Sequence, residues 1–137
     1  MVKVIYGKRG SGKTNRMIHM AKEEALTSPG HVVFVEKDNR CMLDLPHQIR
    51  YVNVSEYIDR EIHTFFGFIQ GMLAANYDIV TMFIDALPSI AGLKSAQELR
   101  KFFDTICLMS KKHNINFVLS ISGTDDGPED FLKDYII

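Results

Sequence analysis

The stretch Gly7-Lys8-Arg9-Gly10-Ser11-Gly12-Lys13-Thr14 constrains this chain more than any other. It matches the G-x-x-x-x-G-K-[ST] phosphate-binding loop in full. Its setting also fits. The apolar run Val2 to Tyr6 before it reads as a strand, and Thr14 to Leu26 after it reads as a helix. A strand-loop-helix unit is the context in which this pattern binds phosphate. Glycines let the backbone curl so that successive N–H groups point inward at phosphate oxygens. The following helix N-terminus adds partial positive charge. In this reading Gly7 to Thr14 cradle the phosphates. Lys13 reaches the β- and γ-phosphates as the catalytic cation, and the Thr14 hydroxyl binds Mg²⁺.

Composition adds bounds. A chain of 137 residues makes one domain (1–137) with a real core. Hydrophobic residues at 46% and charged residues at 24% are ordinary for a globular protein. The longest apolar runs are strand-length, so no membrane span is expected. The chain opens on a charged, strand-like segment instead of a secretion signal, which points to the cytoplasm. Cys41 and Cys107 form no C-x-x-C pair, so reduced thiols are expected instead of a zinc site or disulfide. The net charge is −1 with no basic block, which argues against dedicated nucleic-acid binding.

Strands alternate with helices along the chain, which predicts a parallel sheet with helices on both faces. Ser28-Pro29-Gly30 breaks the first helix, and His31 to Glu36 reads as a buried strand with a charged end. Lys37 to Gln48 is polar and irregular. Ile49 to Val54 reads as a short edge strand. Ser55 is a plausible N-cap for a long helix from about Glu56 to Asn76, whose apolar residues fall at three- and four-residue spacings. Ile79 to Asp85 is a continuous apolar strand ending in an acid. Ala86 to Lys94 reads as a loop. Ser95-Ala96-Gln97-Glu98 is a capping box that opens a helix to about His113. Ile115 to Ser122 is the last clear strand. Pro128 is well placed to start a short helix through about Lys133.

A phosphate loop requires a second element, an apolar strand delivering an Asp toward Mg²⁺. Val80-Thr81-Met82-Phe83-Ile84-Asp85 has that form, so Asp85 joins Thr14 as an expected metal residue. Hydrolysis also needs a group that orients water. The residue after Asp85 is Ala86, so no acid stands there. The remaining acids at that end of the sheet are Glu36 and Asp38, taken here as the catalytic candidates. Arg40 and Lys37 either neutralise phosphate charge or pair with these acids. Ser120 and Ser122 end the last strand, where a hydroxyl could bond the γ-phosphate or its attacking water. Lys8 and Arg9 either touch phosphate or face a neighbouring subunit.

Gly7 to Thr14 and Phe83-Ile84-Asp85 together resemble the P-loop NTPases, and among them the additional-strand group typified by RecA-like proteins. That resemblance implies an α/β three-layer sandwich with a mainly parallel sheet. The implied strand order is 32–36, 79–85, 115–122, then 2–6, with 49–54 on the outer side. In that group the strand after the phosphate-loop helix ends in a catalytic Glu. Phe34-Val35-Glu36-Lys37-Asp38 stands in the matching place, with Asp38 near the expected position. A narrower likeness is to small stand-alone ATP-binding proteins of Firmicutes-type bacteria. They share the Tyr-Gly-Lys-x-Gly-x-Gly-Lys-Thr opening and the Asp38-Asn39-Arg40 segment, and some carry a twitching-motility ATPase label. The acidic and His motifs of pilus-retraction motors have no counterpart here. Val33 to Arg40 is also similar to the strand and Asp-x-Arg segment of thymidine-kinase-type enzymes. That family's four-cysteine zinc lobe and nucleoside-covering loop are missing.

The expected function is ATP binding, with Mg²⁺ as cofactor and weak or partner-activated hydrolysis. A non-hydrolysing nucleotide-binding module and a small nucleoside-type kinase are the alternatives. No guanine-reading Asn-Lys-x-Asp motif is present, so ATP is the expected triphosphate. In the implied order the phosphate-loop strand lies at a sheet edge. An apolar edge is a liability that proteins cover. Either Tyr135-Ile136-Ile137 or a second copy of the chain is expected to cover it.

Overall fold

The computed structural model describes residues 1–137. Five strands form one wholly parallel sheet: β1 (Val2–Gly7), β2 (His31–Glu36), β3 (Ile49–Asn53), β4 (Ile79–Ile84) and β5 (Asn116–Ser122). Their order is β1-β5-β4-β2-β3, the order that the resemblance to RecA-like proteins implied. The connecting helices are α1 (Lys13–Thr27), α2 (Ile62–Ala75), the short α3 (Leu87–Ile90) and α4 (Ala96–His113).

Side chains alternate across a strand, so each strand feeds two cores. Val33 and Val35 of β2, Met82 and Ile84 of β4, and Phe117, Leu119 and Ile121 of β5 join the larger core with α2 and α4. Phe34, Phe83 and Val118 point the other way, onto Met17, Ile18 and Ala21 of α1. The result is three layers, with α1 alone on one face. That parity also fixes the site. Glu36, Asp85 and Ser120 continue the α1-facing series of their strands, so all three end on the phosphate-loop side.

Local chemistry explains most boundaries. Ser95 caps α4 by accepting from the Glu98 N–H at 3.1 Å, and Glu98 Oε2 accepts in return from the Lys94 N–H at 2.7 Å. The capping box is therefore reciprocal, shifted by one residue on its return bond. Asn114 ends α4 in the left-handed region at φ 53.

The expected helix from Glu56 starts six residues later, at Ile62. Asn53 is the cause. Its Oδ1 accepts from both the N–H and the hydroxyl of Ser55, at 3.1 and 2.7 Å, and holds a single tight turn over Val54–Glu56. Glu61 caps the real helix, accepting from the His63 and Thr64 N–H groups. The region read as a loop after Asp85 contains α3, with a proline in its first turn. The last short helix is a 3₁₀ segment, Asp130–Tyr135.

The chain covers its own edge. Val4 of β1 forms a parallel bridge with Ile136, and the Ile137 N–H donates to the Val4 carbonyl at 3.0 Å. Tyr135 meets Phe103 of α4 edge-on at 4.8 Å and anchors the segment. No second copy is required at this edge. No helix is long and apolar enough to cross a membrane.

Candidate nucleotide site

The phosphate loop runs from the end of β1 to the first turn of α1. Gly10 and Gly12 sit at φ 79 and 85, the left-handed region that a side chain rarely adopts. Gly12 is also the residue before α1, so the helix opens directly from the loop. The Ser11 N–H donates to the Lys8 carbonyl at 3.1 Å, and the same carbonyl accepts from Lys13 Nζ at 2.8 Å. A Cβ on Gly7 would stand 2.6 Å from Ser11 Oγ, so a side chain there would turn the Ser11 hydroxyl away. The loop is tied to the neighbouring strand end by the Gly123 N–H on the Gly7 carbonyl at 2.9 Å.

Opposite the loop, Asp85 is 3% exposed and fully engaged. Its Oδ2 accepts from the Thr14 hydroxyl at 2.9 Å. Its Oδ1 accepts from the Ser120 hydroxyl and from the Ala86 N–H. Ala86 takes a left-handed conformation at φ 54, unusual for a residue with a Cβ. That turn aims its N–H back at Asp85 and at Ser120 Oγ, the latter at 2.7 Å. The strained residue therefore stands where the chain leaves β4 for α3, directly at the site. Thr14 and Asp85, expected to share a metal, are thus in direct contact. Their hydroxyl and carboxylate oxygens are the hard donors that Mg²⁺ takes. The donor set fits that ion.

A cleft of about 570 Å³ opens between these elements. Arg9, Gly10, Gly12, Lys13 and Thr14 line it from the loop and the start of α1, Asp85 and Ala86 from the end of β4, and Ser120 and Ser122 from β5. Lys37, Arg40, Pro88 and Ser89 complete the wall. Its charged lining is four cations, Arg9, Lys13, Lys37 and Arg40, and one carboxylate, Asp85. Lys8 turns away and pairs with Asp125 at 2.8 Å on the exposed rim. Gly7 and Ser11 support the loop from outside the cleft.

Glu36 and Asp38, expected to present a free carboxylate to a water, are both occupied and neither lines the cleft. Glu36 is 1% exposed. It accepts from the Cys41 N–H at 3.2 Å, from Cys41 Sγ at 3.3 Å and from the Tyr51 hydroxyl at 2.7 Å. Tyr51 also contacts the Asp38 carbonyl. The Asp38 carboxylate accepts from the Arg40 N–H at 3.1 Å and from Arg40 Nε. The correction has a physical reason. Glu36 follows the α1-facing parity of β2 into a closed pocket against β3, where Tyr51 and Cys41 supply donors. Sequence order shows none of these partners except Arg40.

Burial pushes the Glu36 carboxyl above its ordinary value, against the opposing pull of its Tyr51 and Cys41 hydrogen bonds. The same burial, with Glu36 beside it, raises the Cys41 thiol to about 12, so this thiol is not a ready nucleophile. Arg40 holds the Asp38 carboxyl below its usual range, outweighing its desolvation. A carboxyl raised in the folded state stabilises the fold fully below the unfolded-chain value, and that contribution is lost as pH rises through the folded value. Glu36→Gln removes it. The stability advantage of wild type over Glu36→Gln is therefore expected to be larger at about pH 4 than at about pH 7, read as melting temperatures at both. An advantage that grows toward neutral pH would contradict the assignment.

The structure brings most of the expected phosphate and metal residues into one place: Arg9, Gly10, Gly12, Lys13, Thr14, Asp85 and Ser122. Residues of the wall that the sequence did not single out are Asn15, Pro88 and Ser89. The Leu87-Pro88 pair after the strand was the available signal for the last two, since proline favours a helix first turn.

No family model and no curated protein matches this chain. Among solved structures it is similar to a KaiC-like protein of the hyperthermophilic archaeon Pyrococcus horikoshii OT3, with a TM-score of 0.70 and 17% sequence identity. The match covers 98% of this chain and 66% of that one, so the chain spans just under two thirds of that protein's length. At such identity the likeness speaks for the fold. The parallel five-stranded sheet, its strand order and this match give the chain an α/β, P-loop NTPase fold of RecA-like type.

Proposed function

We propose that this chain binds Mg·ATP in the cleft between the phosphate loop and Asp85, and turns it over weakly or only when a partner assists. The observation that carries the reading is the Thr14–Asp85 contact at 2.9 Å, with a complete phosphate loop above it. The loop N–H groups, Lys13 and the α1 N-terminus offer charge and donors to a polyphosphate. Thr14 and Asp85 would hold Mg²⁺. When bound, that ion neutralises charge on the β- and γ-phosphates. Phosphoryl transfer depends mainly on such positioning and charge stabilisation.

Weak turnover follows from the lining. Asp85 is the one carboxylate in the cleft, and both of its oxygens are engaged. A water at the γ-phosphate would find hydroxyls at Ser120, Ser122 and Ser89, but no free base. The same observation favours a non-hydrolysing module as the second reading. A partner protein or second copy that supplies the missing group would convert such a binder into an ATPase. A small kinase would need its acceptor to bring that group.

The test is phosphate release from Mg·ATP, without any acceptor, under multiple turnover. The proposal expects release well below the typical enzyme turnover of about 10 s⁻¹ and loss of that release in Asp85→Ala. Rapid release, unchanged in Asp85→Ala, would overturn it.

A further inference from the structure

Resting on that reading, we propose that Arg40 is the residue that reads the terminal phosphate, so that this site distinguishes a nucleoside triphosphate from a diphosphate within one chain. Arg40 lies in the segment after β2, on the wall of the cleft that holds Lys13, Thr14 and Asp85. Its guanidinium is fixed from behind. Nε contacts both oxygens of Asp38, at 3.0 and 2.8 Å, and stands 3.8 Å from Glu36 Oε1. The Asp38 carboxylate also accepts from the Arg40 backbone N–H, so side chain and backbone are held by one group.

The geometry leaves one end free. Both carboxylate contacts run through Nε, and no protein hydrogen bond engages Nη1 or Nη2. Those two nitrogens form the outer fork of the guanidinium, the part that matches phosphate oxygens in pairs. The other cations of the cleft differ. Lys13 is bonded to the loop carbonyl of Lys8, and Lys37 lies 3.5 Å from Ser89 Oγ. Neither lysine has the two-pronged geometry of Arg40, and Arg9 has the fork but no carboxylate to fix it as Asp38 fixes Arg40.

The anchoring is costly unless the cation is wanted in place. Glu36 is a buried acid held by Cys41 and Tyr51, and Asp38 is held at its carbonyl by the same Tyr51. Tyr51 belongs to β3, so the outer strand of the sheet braces the segment carrying Arg40. An exposed arginine with no anion to meet needs no such frame. Arg40 follows β2, three places along the sheet from β1, whose end opens the loop. That separation suits a polyphosphate whose nearer phosphates the loop would hold and whose end Arg40 would meet. A triphosphate reaches it and a diphosphate falls short.

The experiment is equilibrium titration of the full chain with Mg·ATP and Mg·ADP, for wild type, Arg40→Ala, Arg40→Lys and Asp38→Asn. A charged hydrogen bond of this kind corresponds to about a ten- to hundredfold change in affinity. Arg40→Ala is expected to lose that factor for ATP and less than about threefold for ADP. Arg40→Lys recovers part of the ATP affinity, and Asp38→Asn loses ATP affinity selectively but less than Arg40→Ala. Arg40 is exposed, so its variants should keep the fold, and their melting curves provide the check. Equal losses for ATP and ADP, or no loss for either, would overturn the role of Arg40 while leaving nucleotide binding intact. Wild type that binds neither nucleotide would overturn the nucleotide reading and this inference with it.

Discussion

Lys13→Ala is expected to abolish measurable ATP binding, with a loss of about a hundredfold or more. The estimate comes from charge. Each hydrogen bond between an ammonium and a phosphate oxygen contributes about 1.5–3 kcal/mol, and Lys13 would serve two phosphates. The alanine also removes the bond from Nζ to the Lys8 carbonyl at 2.8 Å, which braces the loop. Loop collapse and lost charge act in the same direction. The fold should be unaffected, because that bond is exposed and the core lies elsewhere. Titration with Mg·ATP, beside a melting curve, separates the two effects. A variant that melts like wild type and still binds with unchanged affinity would remove Lys13 from the phosphate contacts.

Phe102→Ala should produce the largest loss of stability, about 3–5 kcal/mol. Phe102 is fully buried on α4. Its ring stacks on Phe66 at 4.5 Å and tilts against Phe65 at 5.7 Å, so it joins α4 to α2 over the sheet. Alanine leaves a cavity that both helices must close by moving together. For a chain of this size the melting temperature should fall by about 10–20 °C. Helix α1, which opens from the phosphate loop, packs on the opposite face of the sheet, so nucleotide affinity below the new melting point should hold. A fall of only a degree or two would mean that the helices repack freely.

The two effects separate what the sequence shows from what it hides. The phosphate-loop motif is contiguous, and its pattern rests on backbone shape and charge local to the loop. It is therefore legible as a motif in the chain, as is the strand that ends in Asp85, because an apolar run ending in an acid is a local pattern. The strand order came from the resemblance to RecA-like proteins, since periodicity says which face is buried but not which strand is next. The cover on β1 followed from edge chemistry once that order was assumed.

What stays hidden depends on partners that the residue types alone do not pick out. Glu36 looks like a solvated strand exit, but Tyr51, fifteen residues on, and Cys41 enclose it. Ser55 looks like a helix cap, but Asn53 uses its donors in a tight turn. Ser120 looks like a residue for the nucleotide, but it bonds Asp85 from the next strand, 35 residues away. In each case the residue type was read correctly as polar and reactive. For Glu36 and Ser120 the partner on another strand is set by which strands lie side by side, and for Ser55 it is set by a local turn with Asn53.

The central claim is that this cleft is a magnesium-dependent nucleotide site. Calorimetric titration of the wild-type chain with ATP, in the presence and then the absence of Mg²⁺, tests it most directly. The account predicts one site per chain, with affinity that weakens clearly when Mg²⁺ is withdrawn, because Thr14 and Asp85 then lose the ion they would share. No binding of ATP under either condition, or binding that Mg²⁺ does not change, would contradict it.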